Sequence, residues 1–555
     1  MRDPRLQGQA QYLVAEYMKC QYDFEYFCRH YIFLELPGGD VLLNPYDKQS
    51  ELINLINEKH YVITLKSRQI GISTVIQAYS AWLAVFFDNV VIGIISKDGK
   101  EATDFSRAIR GMIEKLPDWM KPKGGQMGRG FDKRTEQTFI LTNGSKVYAT
   151  PVAPNAPQKT LRGKAITFLV IDEAAFVGHI EEAWTAMVPT LATNQKQAKA
   201  AGVPYGTILL STPNKTVGAG KFFYKRYMNA VDGGDIFNPF TIHWKQIPEL
   251  ANDPDWYRVQ CELFDNDKRK IAQELELKFL PTEGSFFEAD TVEIMQDSAR
   301  PPIRKYKLFN GEAWVWQEPI KGTYYLSGVD TASEQGEDKS GIVIYDYETL
   351  EQVWEYQGKC RVKDFAKVVK ASISLYPGTL VIENNSYGNQ VVEELKDSDY
   401  GDMVYSEKRG DKIVAGLSTN AKTRPLMIDA LYSYFTEFPE IVRSERLALE
   451  LVGLVSKKNG KVEADEGCHD DLALASAAAF YCRKYDSSRI ILDTPRHAHT
   501  AAQIANIISE NDEQLREVTD ANIMAHVKAN LGKIGELDGG IVDILEMYTK
   551  GNVGD

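Results

Sequence analysis

The stretch from Tyr61 to Phe87 limits the possible folds of this chain more than any other. Tyr61-Val-Ile-Thr-Leu65 is a short, β-rich apolar run, Lys66-Ser-Arg-Gln-Ile-Gly-Ile-Ser-Thr74 follows, and from Ser73 to Phe87 the apolar residues recur at helical spacing. A strand, a glycine-bearing turn and a helix in that order imply an α/β sheet with the turn at a strand's C-terminal end. Ligands bind there in open sheets, and the turn's N–H groups and the helix dipole favour phosphate. The usual phosphate loop reads Gly, four residues, Gly, Lys, then Ser or Thr. Aligned on Gly71 and Ser73, the first glycine position holds Lys66 and the lysine position holds Ile72. Lys66 is then the residue that can supply the missing charge, from the strand end.

Two further apolar runs end in functional groups. Phe168-Leu-Val-Ile-Asp-Glu-Ala-Ala-Phe176 reads as a buried parallel strand closed by two acids. In such a place Asp172 holds a magnesium ion on a nucleotide, and Glu173 orients the attacking water and accepts its proton. Thr207-Ile-Leu-Leu-Ser-Thr-Pro-Asn214 ends in polar residues, Thr212 and Asn214, suited to sensing a γ-phosphate and coupling it to the rest of the chain. Upstream, Asn44-Pro-Tyr-Asp-Lys-Gln49 offers the Gln49 amide to an adenine edge and the Tyr46 ring to its face; an ordinary helix start is the alternative.

These pieces, in this order, resemble the ATPase domain of the large terminase, the DNA-packaging motor of tailed bacteriophages. The matching residues are the glutamine motif, Ser-Arg-Gln-x-Gly-x-Ser, Leu-Arg-Gly, the strand ending in Asp-Glu and Ser-Thr-Pro-Asn, over roughly residues 20 to 285. Ile72 departs from members with lysine there; other members place the lysine at the loop's start, as Lys66 is placed. The resemblance implies a RecA/ASCE-like ATP site built from Tyr46, Gln49, Lys66, Ser67, Arg68, Gly71, Ser73, Thr74 and Asp172. No second helicase lobe is visible after the Thr-Pro-Asn strand, so a finger arginine must come from this domain or a neighbouring subunit. Arg162, eleven residues before Glu173, is the candidate, with a structural ion pair as the alternative.

The second half carries different chemistry. Tyr324-Tyr-Leu-Ser-Gly-Val-Asp330 reads as a strand ending in an acid, a polar turn bearing Asp338 follows, and Ile342-Val-Ile-Tyr345 returns. Thr379-Leu-Val-Ile-Glu383 ends in another acid, and Cys468-His-Asp470-Asp471 opens a helix that continues through Phe480. Two strand-end acids and one helix-start acid can converge on one or two divalent ions, held by the hard oxygen ligands that magnesium and manganese prefer. The set resembles the RNase H-like nuclease domain of large terminases. That implies Asp330, Glu383 and one of Asp470 and Asp471 as central metal ligands, with Asp338 auxiliary. Ser418 to Arg424 resembles a polar loop of the same domain. An Asn-Gly hairpin signal lies within Val455 to Val462, where Lys457, Lys458 and Lys461 either touch phosphates or are simply solvated.

The expected organisation is therefore an N-terminal helical segment and phosphate-loop ATPase domain over 1–285, a linker over 286–310, an RNase H-like domain over 311–486, and a helical acidic tail over 487–555. Asp253 to Leu280 reads as helical, and Pro281 and Pro301-Pro302 break the chain. The tail holds 6 basic against 11 acidic residues, as an interaction appendage or a partly disordered segment does. A length of 555 residues with 44% apolar content suits two to four full domains. The net charge of −13 argues against constitutive DNA coating but leaves room for a local basic track. The six cysteines are scattered, without zinc spacing, as in a reducing compartment. Met1 to Gln9 is polar, unlike a signal peptide, and runs such as Ala81 to Phe87 are far too short to span a membrane.

The resemblance further implies ATP and Mg2+ as cofactors, with Mn2+ possible at the nuclease site. Its partners are double-stranded DNA, the capsid portal protein and the small terminase subunit, and it works as a homo-oligomeric ring on the portal, away from membranes. It places the protein in the host cell cytoplasm, docked transiently on the procapsid and absent from the mature virion. ATP hydrolysis would drive DNA into the procapsid, and a two-metal endonuclease would cut the concatemer at initiation and termination. A helicase-nuclease of DNA repair or recombination is the alternative, disfavoured by the missing second lobe. A non-enzymatic ATP-binding scaffold is a third, opposed by the acids of the second half.

Overall fold

A computed structural model describes residues 4–486, except 124–129, 217, 282–283, 334–337, 385–386, 397, 410–411, 458–459 and 466–467. The expected tail over 487–555 and Lys458 lie outside the described residues. The fold is α/β, with two large sheets.

The first sheet has eight strands. Its spatial order is Asn238–Ile242, Tyr61–Lys66, Gly206–Ser211, Phe168–Asp172, Val91–Ser96, Lys146–Pro151, Thr138–Leu141 and Phe131–Arg134. The first six run parallel and the last two are antiparallel additions at one edge. The three central strands are buried along their whole length, which is why they read as unbroken apolar runs. Helices Ile72–Phe86, Gly99–Lys115, Ile180–Ala200 and Ala219–Val231 connect the parallel strands. The register pairs Leu65 with Ser211 and Asp172 with Leu210, so Lys66, Asp172 and Ser211 finish at one edge of the sheet. The strand ending at Ser211 separates the strand carrying Lys66 from the strand carrying Asp172. That interposed strand is the order expected of a RecA/ASCE-like domain.

The second sheet has six strands in the order Arg304–Leu308, Gly311–Val315, Gln352–Gly358, Ser340–Asp346, Tyr325–Asp330 and Gly378–Ile382. All neighbours are antiparallel except the last pair. An antiparallel meander with a parallel fourth strand is the expected RNase H-like arrangement. Helix Asp471–Tyr485 lies directly on the strand Tyr325–Asp330. A Cβ on Gly328 would sit 1.8 Å from the Ala475 carbonyl oxygen, so glycine is required there. Ala479, one turn after Ala475, continues the shallow face, its Cβ 3.1 Å from where a Gly328 Cβ would be.

The two halves share an apolar interior. One continuous core runs from Ile63 and Leu65 through Phe279 and Phe287 to Leu326, Val343 and Phe480. The far face of each sheet has its own core. This corrects the expected linker over 286–310. Phe286 and Phe287 lie 5.4 and 5.8 Å from the Tyr432 ring, and Phe286 N donates to Leu454 O at 2.9 Å. Helix Ala289–Ser298 and strand Arg304–Leu308 occupy the same segment. Pro301 and Pro302 lie between that helix and that strand, and the adjacent phenylalanines anchor the chain to the second half. The stretch Asp253 to Leu280 is also less helical than its apolar spacing suggests, with helices only at Trp256–Leu263 and Lys268–Glu274. All six cysteines are free. Among the described residues no helix is long and apolar enough to cross a membrane.

Candidate active sites

The loop after Lys66 is anchored at both ends. Ser67 N donates to Ile242 O at 3.1 Å, its Oγ donates to Leu275 O at 2.7 Å, and Trp244 N donates to that same Oγ at 3.1 Å. Arg68 N donates to Glu274 O at 2.8 Å, and its guanidinium lies 3.3 Å from the Glu274 carboxylate. Gly71 takes a left-handed conformation at φ +74° as the cap of helix Ile72–Phe86, which explains the glycine. Among the described residues the N–H groups of Gln69, Ile70 and Gly71 have no hydrogen-bond acceptor. Free donors at a helix start suit phosphate oxygens.

Lys66 is buried at the strand end, with Nζ 2.8 Å from Glu173 Oε1. Burial alone would depress its ammonium, but Glu173 and Asp172 outweigh that and hold its pKa above the usual lysine value. Ile72, in the usual lysine position, is 1% exposed and belongs to the apolar core. Of these two positions only Lys66 carries charge, and Arg68, which lines the cleft with Asp172 and Glu173, is the loop's second cation. Asp172 is pushed up to about 6, first by burial and then by Glu173, while Lys66 pulls it down. Ser73 Oγ donates to Asp172 Oδ1 at 3.1 Å. A hydroxyl and a carboxylate in contact beside the phosphate loop fit the donor chemistry of a magnesium site.

Glu173 itself sits at φ +50°, a costly conformation for a glutamate. The following turn is gripped from both sides: Ala175 N donates to Ser211 Oγ at 3.1 Å, and Asn214 Nδ2 donates to Ala175 O at 2.8 Å. Thr212 is buried and lines the same cleft as Asp172 and Glu173, about 330 Å3 in volume. Lys97, Gln77 and Phe105 line it too. No sequence motif marks these three, because they come from a strand end and helix faces.

Gln49 is 2% exposed and spends its amide within the protein. Nε2 donates to Ile70 O at 3.0 Å, and Oε1 accepts from Tyr46 N at 3.0 Å. It braces the phosphate loop. The Tyr46 hydroxyl donates to Glu249. Thr74 lines a neighbouring cleft with Phe33, Asp104 and Arg107. Arg162 is exposed and lines a cleft with Leu161, Lys164 and Met187, whereas Glu173 lines a different one.

The second centre lies at the ends of the parallel pair Tyr325–Asp330 and Gly378–Ile382. Val329 pairs with Ile382, and Glu383 N donates to Val329 O at 3.2 Å, so Asp330 and Glu383 end neighbouring strands. Burial holds Asp330 well above the usual carboxylate range, reinforced by Glu383, then Asp471, then Asp470. Asp471 is raised by burial, then by Asp470 and Asp338. Asp471 Oδ2 accepts from Lys339 N at 3.3 Å and Gln357 Nε2 at 3.4 Å, whereas Asp470 Oδ2 accepts from Ala464 N at 3.2 Å. All five acids therefore share one neighbourhood. As placed, no three His, Cys, Asp or Glu side chains among the described residues close around an ion. The donor set is nonetheless all oxygen and mutually repelling, with Asp471 buried, Asp330, Glu383 and Asp470 half-buried and Asp338 exposed, which fits the hard oxygen ligands of a divalent cation.

Behind Asp471 stands a group the sequence reading passed over. Glu450 is fully buried, accepting from Gln357 Nε2 at 2.8 Å and Ala473 N at 2.9 Å. A lone acid within Leu447-Ala-Leu-Glu-Leu-Val452 was the available signal. The expected hairpin forms, with Leu454–Ser456 antiparallel to Val462–Ala464. Lys457 lies 3.7 Å from Asp465, which favours the solvated, ion-paired alternative for that lysine.

No protein-family model matches the chain. Among solved structures, it is similar to the large terminase of bacteriophage HK97, at 12% identity over 83% of this chain and 99% of that one, with a TM-score of 0.39. The large terminase ATPase domain of Thermus phage P74-26 matches at 17% identity over 43% of this chain and 94% of its own, with a TM-score of 0.30. The large terminase nuclease of thermophilic phage G20c, solved with bound magnesium, matches at 16% identity over 36% of this chain and 98% of its own, with a TM-score of 0.28.

Proposed function

We propose that this chain is the large subunit of a viral DNA-packaging terminase, an ATP-driven translocase of double-stranded DNA fused to a metal-dependent endonuclease. The observation that carries this reading is the pairing of two centres in one chain with a shared core: a phosphate loop facing Asp172 and Glu173, and an acid centre at Asp330, Glu383 and Asp471.

At the first centre, the loop N–H groups and Lys66 bind the phosphates of ATP, and Ser73 with Asp172 holds Mg2+. Glu173, with its carboxylate already aimed along Lys66, orients water and accepts its proton. Ser211 and Asn214 transmit the state of that turn to the strand between the two motif strands. Arg162 acts across a subunit boundary, on the neighbour's nucleotide, in a homo-oligomeric ring. At the second centre, Asp330, Glu383 and Asp471 hold Mg2+ or Mn2+, with Asp338 and Asp470 in support. Ions held there would supply positive charge to a phosphodiester during its cleavage. The ring docks on the portal protein of a procapsid in the host cytoplasm, receives DNA through the small terminase subunit, and leaves before the virion matures.

A packaging assay with purified procapsids tests this. Glu173→Gln should bind ATP but fail to package. Asp330→Asn should package pre-cut DNA yet leave circular DNA intact. Strand separation by the wild type, or an ATPase indifferent to DNA, would overturn the reading.

A further inference from the structure

The helix Ala219–Val231 belongs to the first half but ends inside the second. Tyr224 donates its hydroxyl to Leu449 O, and Tyr227 donates to Glu445 Oε1 at 2.9 Å. The cap residue of this helix, Asp232, has a side chain only 1% exposed, with Oδ2 3.2 Å from Lys339 Nζ. Its Oδ1 has no hydrogen-bond partner among the described residues. Lys339 is itself 13% exposed, and the turn at Gly234 walls its ammonium, since a Cβ there would stand 3.3 Å from Nζ. The main-chain N–H of this lysine donates to Asp471 Oδ2. A largely buried ammonium thus belongs to the residue whose main chain bonds Asp471, and its counter-ion comes from the other half of the chain.

We propose that Asp232 is a positioning residue for the nuclease: it holds the Lys339 ammonium away from Asp338, Asp470 and Asp471, so that a divalent ion, and not this lysine, neutralises them. The inference rests on reading the acid centre as a metal site. A lysine without its counter-ion seeks the nearest carboxylates, because an unpaired buried charge is costly. Asp232→Asn keeps the shape of the side chain and removes that counter-ion. Lys339 then competes with the metal.

The test uses the full chain and two readouts: Mn2+ occupancy by electron paramagnetic resonance, with Asp330→Asn subtracted to isolate this centre, and the metal dependence of DNA cutting. Asp232→Asn should raise the metal concentration for half-occupancy by about tenfold, the lower end of the effect of outer partners on metal sites. Cutting at saturating metal and ATP turnover should be unchanged. Lys339→Met on top of Asp232→Asn should bring the metal requirement back to within about threefold of wild type, and Asp232→Glu should leave it near wild type. A merely structural role predicts the reverse, since removing both partners would loosen the junction further. The proposal is overturned if the double variant is no better than Asp232→Asn, or if Asp232→Asn, shown by its melting curve to be folded, leaves the metal requirement unchanged. If Asp330→Asn alters neither Mn2+ binding nor cutting, the metal-site reading itself is wrong, and the proposal falls with it.

Discussion

Lys66→Met is the most informative single change. In the native site the ammonium stands 2.8 Å from Glu173, with side chains 6% and 23% exposed. Breaking a fully buried pair by removing one partner costs about 3–5 kcal/mol; the partial exposure of Glu173 brings the estimate to about 2–3 kcal/mol. The loss should depend on pH through Asp172, which stands at about 6 even with Lys66 beside it. A carboxyl whose folded pKa is raised contributes stability that is complete below its unfolded value and lost as pH rises through the folded one. Without Lys66, Asp172 moves higher still, so the window of loss extends upward from about 6. Nucleotide-free Lys66→Met should melt below wild type throughout, by less near pH 5 than near pH 8. ATP turnover should fall by about 10²–10³-fold, the usual effect of removing a preorganised charge. Adding Ile72→Lys should not rescue it, because position 72 points into the apolar core. Phosphate release and thermal melts across pH measure all three. Turnover within about threefold of wild type, or recovery with Ile72→Lys, would refute the assignment of the charge to Lys66.

Asn214→Ala removes one hydrogen bond from the turn after Glu173, worth about 1 kcal/mol; ATP binding should persist while turnover drops about fivefold, and an unchanged rate would release Asn214 from that role. A mixture of Arg162→Ala and Glu173→Gln subunits should regain activity where intact halves meet, and the absence of rescue in assembled mixtures would point to a structural arginine. A fragment from Pro281 to Asp486 should melt cooperatively and one from Lys305 should not, because the latter loses Phe286, Phe287 and helix Ala289–Ser298; circular dichroism of both decides this. Arg446→Met should cost about 3–5 kcal/mol in urea titrations, since the fully buried guanidinium lies 2.6 Å from Glu355 and 3.9 Å from the centre of the Trp314 ring. Glu355→Gln in that background should recover most of the loss, and no recovery would mean that the pair is not what the arginine supports.

What the sequence could reveal was whatever is local. A strand ending in a named residue fixes where that residue lies along the strand, so Lys66, Asp172, Glu173, Asp330 and Glu383 were all legible at the ends of apolar runs. Gly328 was legible as part of Gly-Val-Asp, but its reason was not: the helix that presses on it begins more than a hundred residues later, at Asp471. Gln49 shows the limit of reading a motif by residue type. Its amide is suited to a base edge, but its position under Ile70 makes it a brace. Over 286–310 two prolines near 301 suggest a break, whereas the stacking of Phe287 on Tyr432 ties the segment to the second half, across a separation no periodicity reports. Arg446, Glu355, Ser444 and Gln352 form a buried polar network that also escaped notice, since each looks like an ordinary surface residue until the sheet and helix meet.

The two centres use the same device and differ in how it is neutralised. Both gather carboxylates at the ends of parallel strands, where main-chain geometry holds them together regardless of their repulsion. The first brings its own cation: Lys66 lies against Glu173 and lowers Asp172, so the site is close to balanced before any ligand arrives. The second has acids from Asp330, Glu383, Asp470 and Asp471, and its nearby cations offset them only in part. The ammonium of Lys339 is engaged with Asp232, and Arg424 only partly offsets Asp330 and Asp470. Its charged form is therefore the strained one, and a divalent ion relieves that strain. A phosphate-loop centre that is self-neutralised can cycle with each nucleotide. Under the proposed function, a carboxylate centre that is not would wait for metal and a phosphodiester together, and this would restrain a nuclease carried along the DNA it cuts.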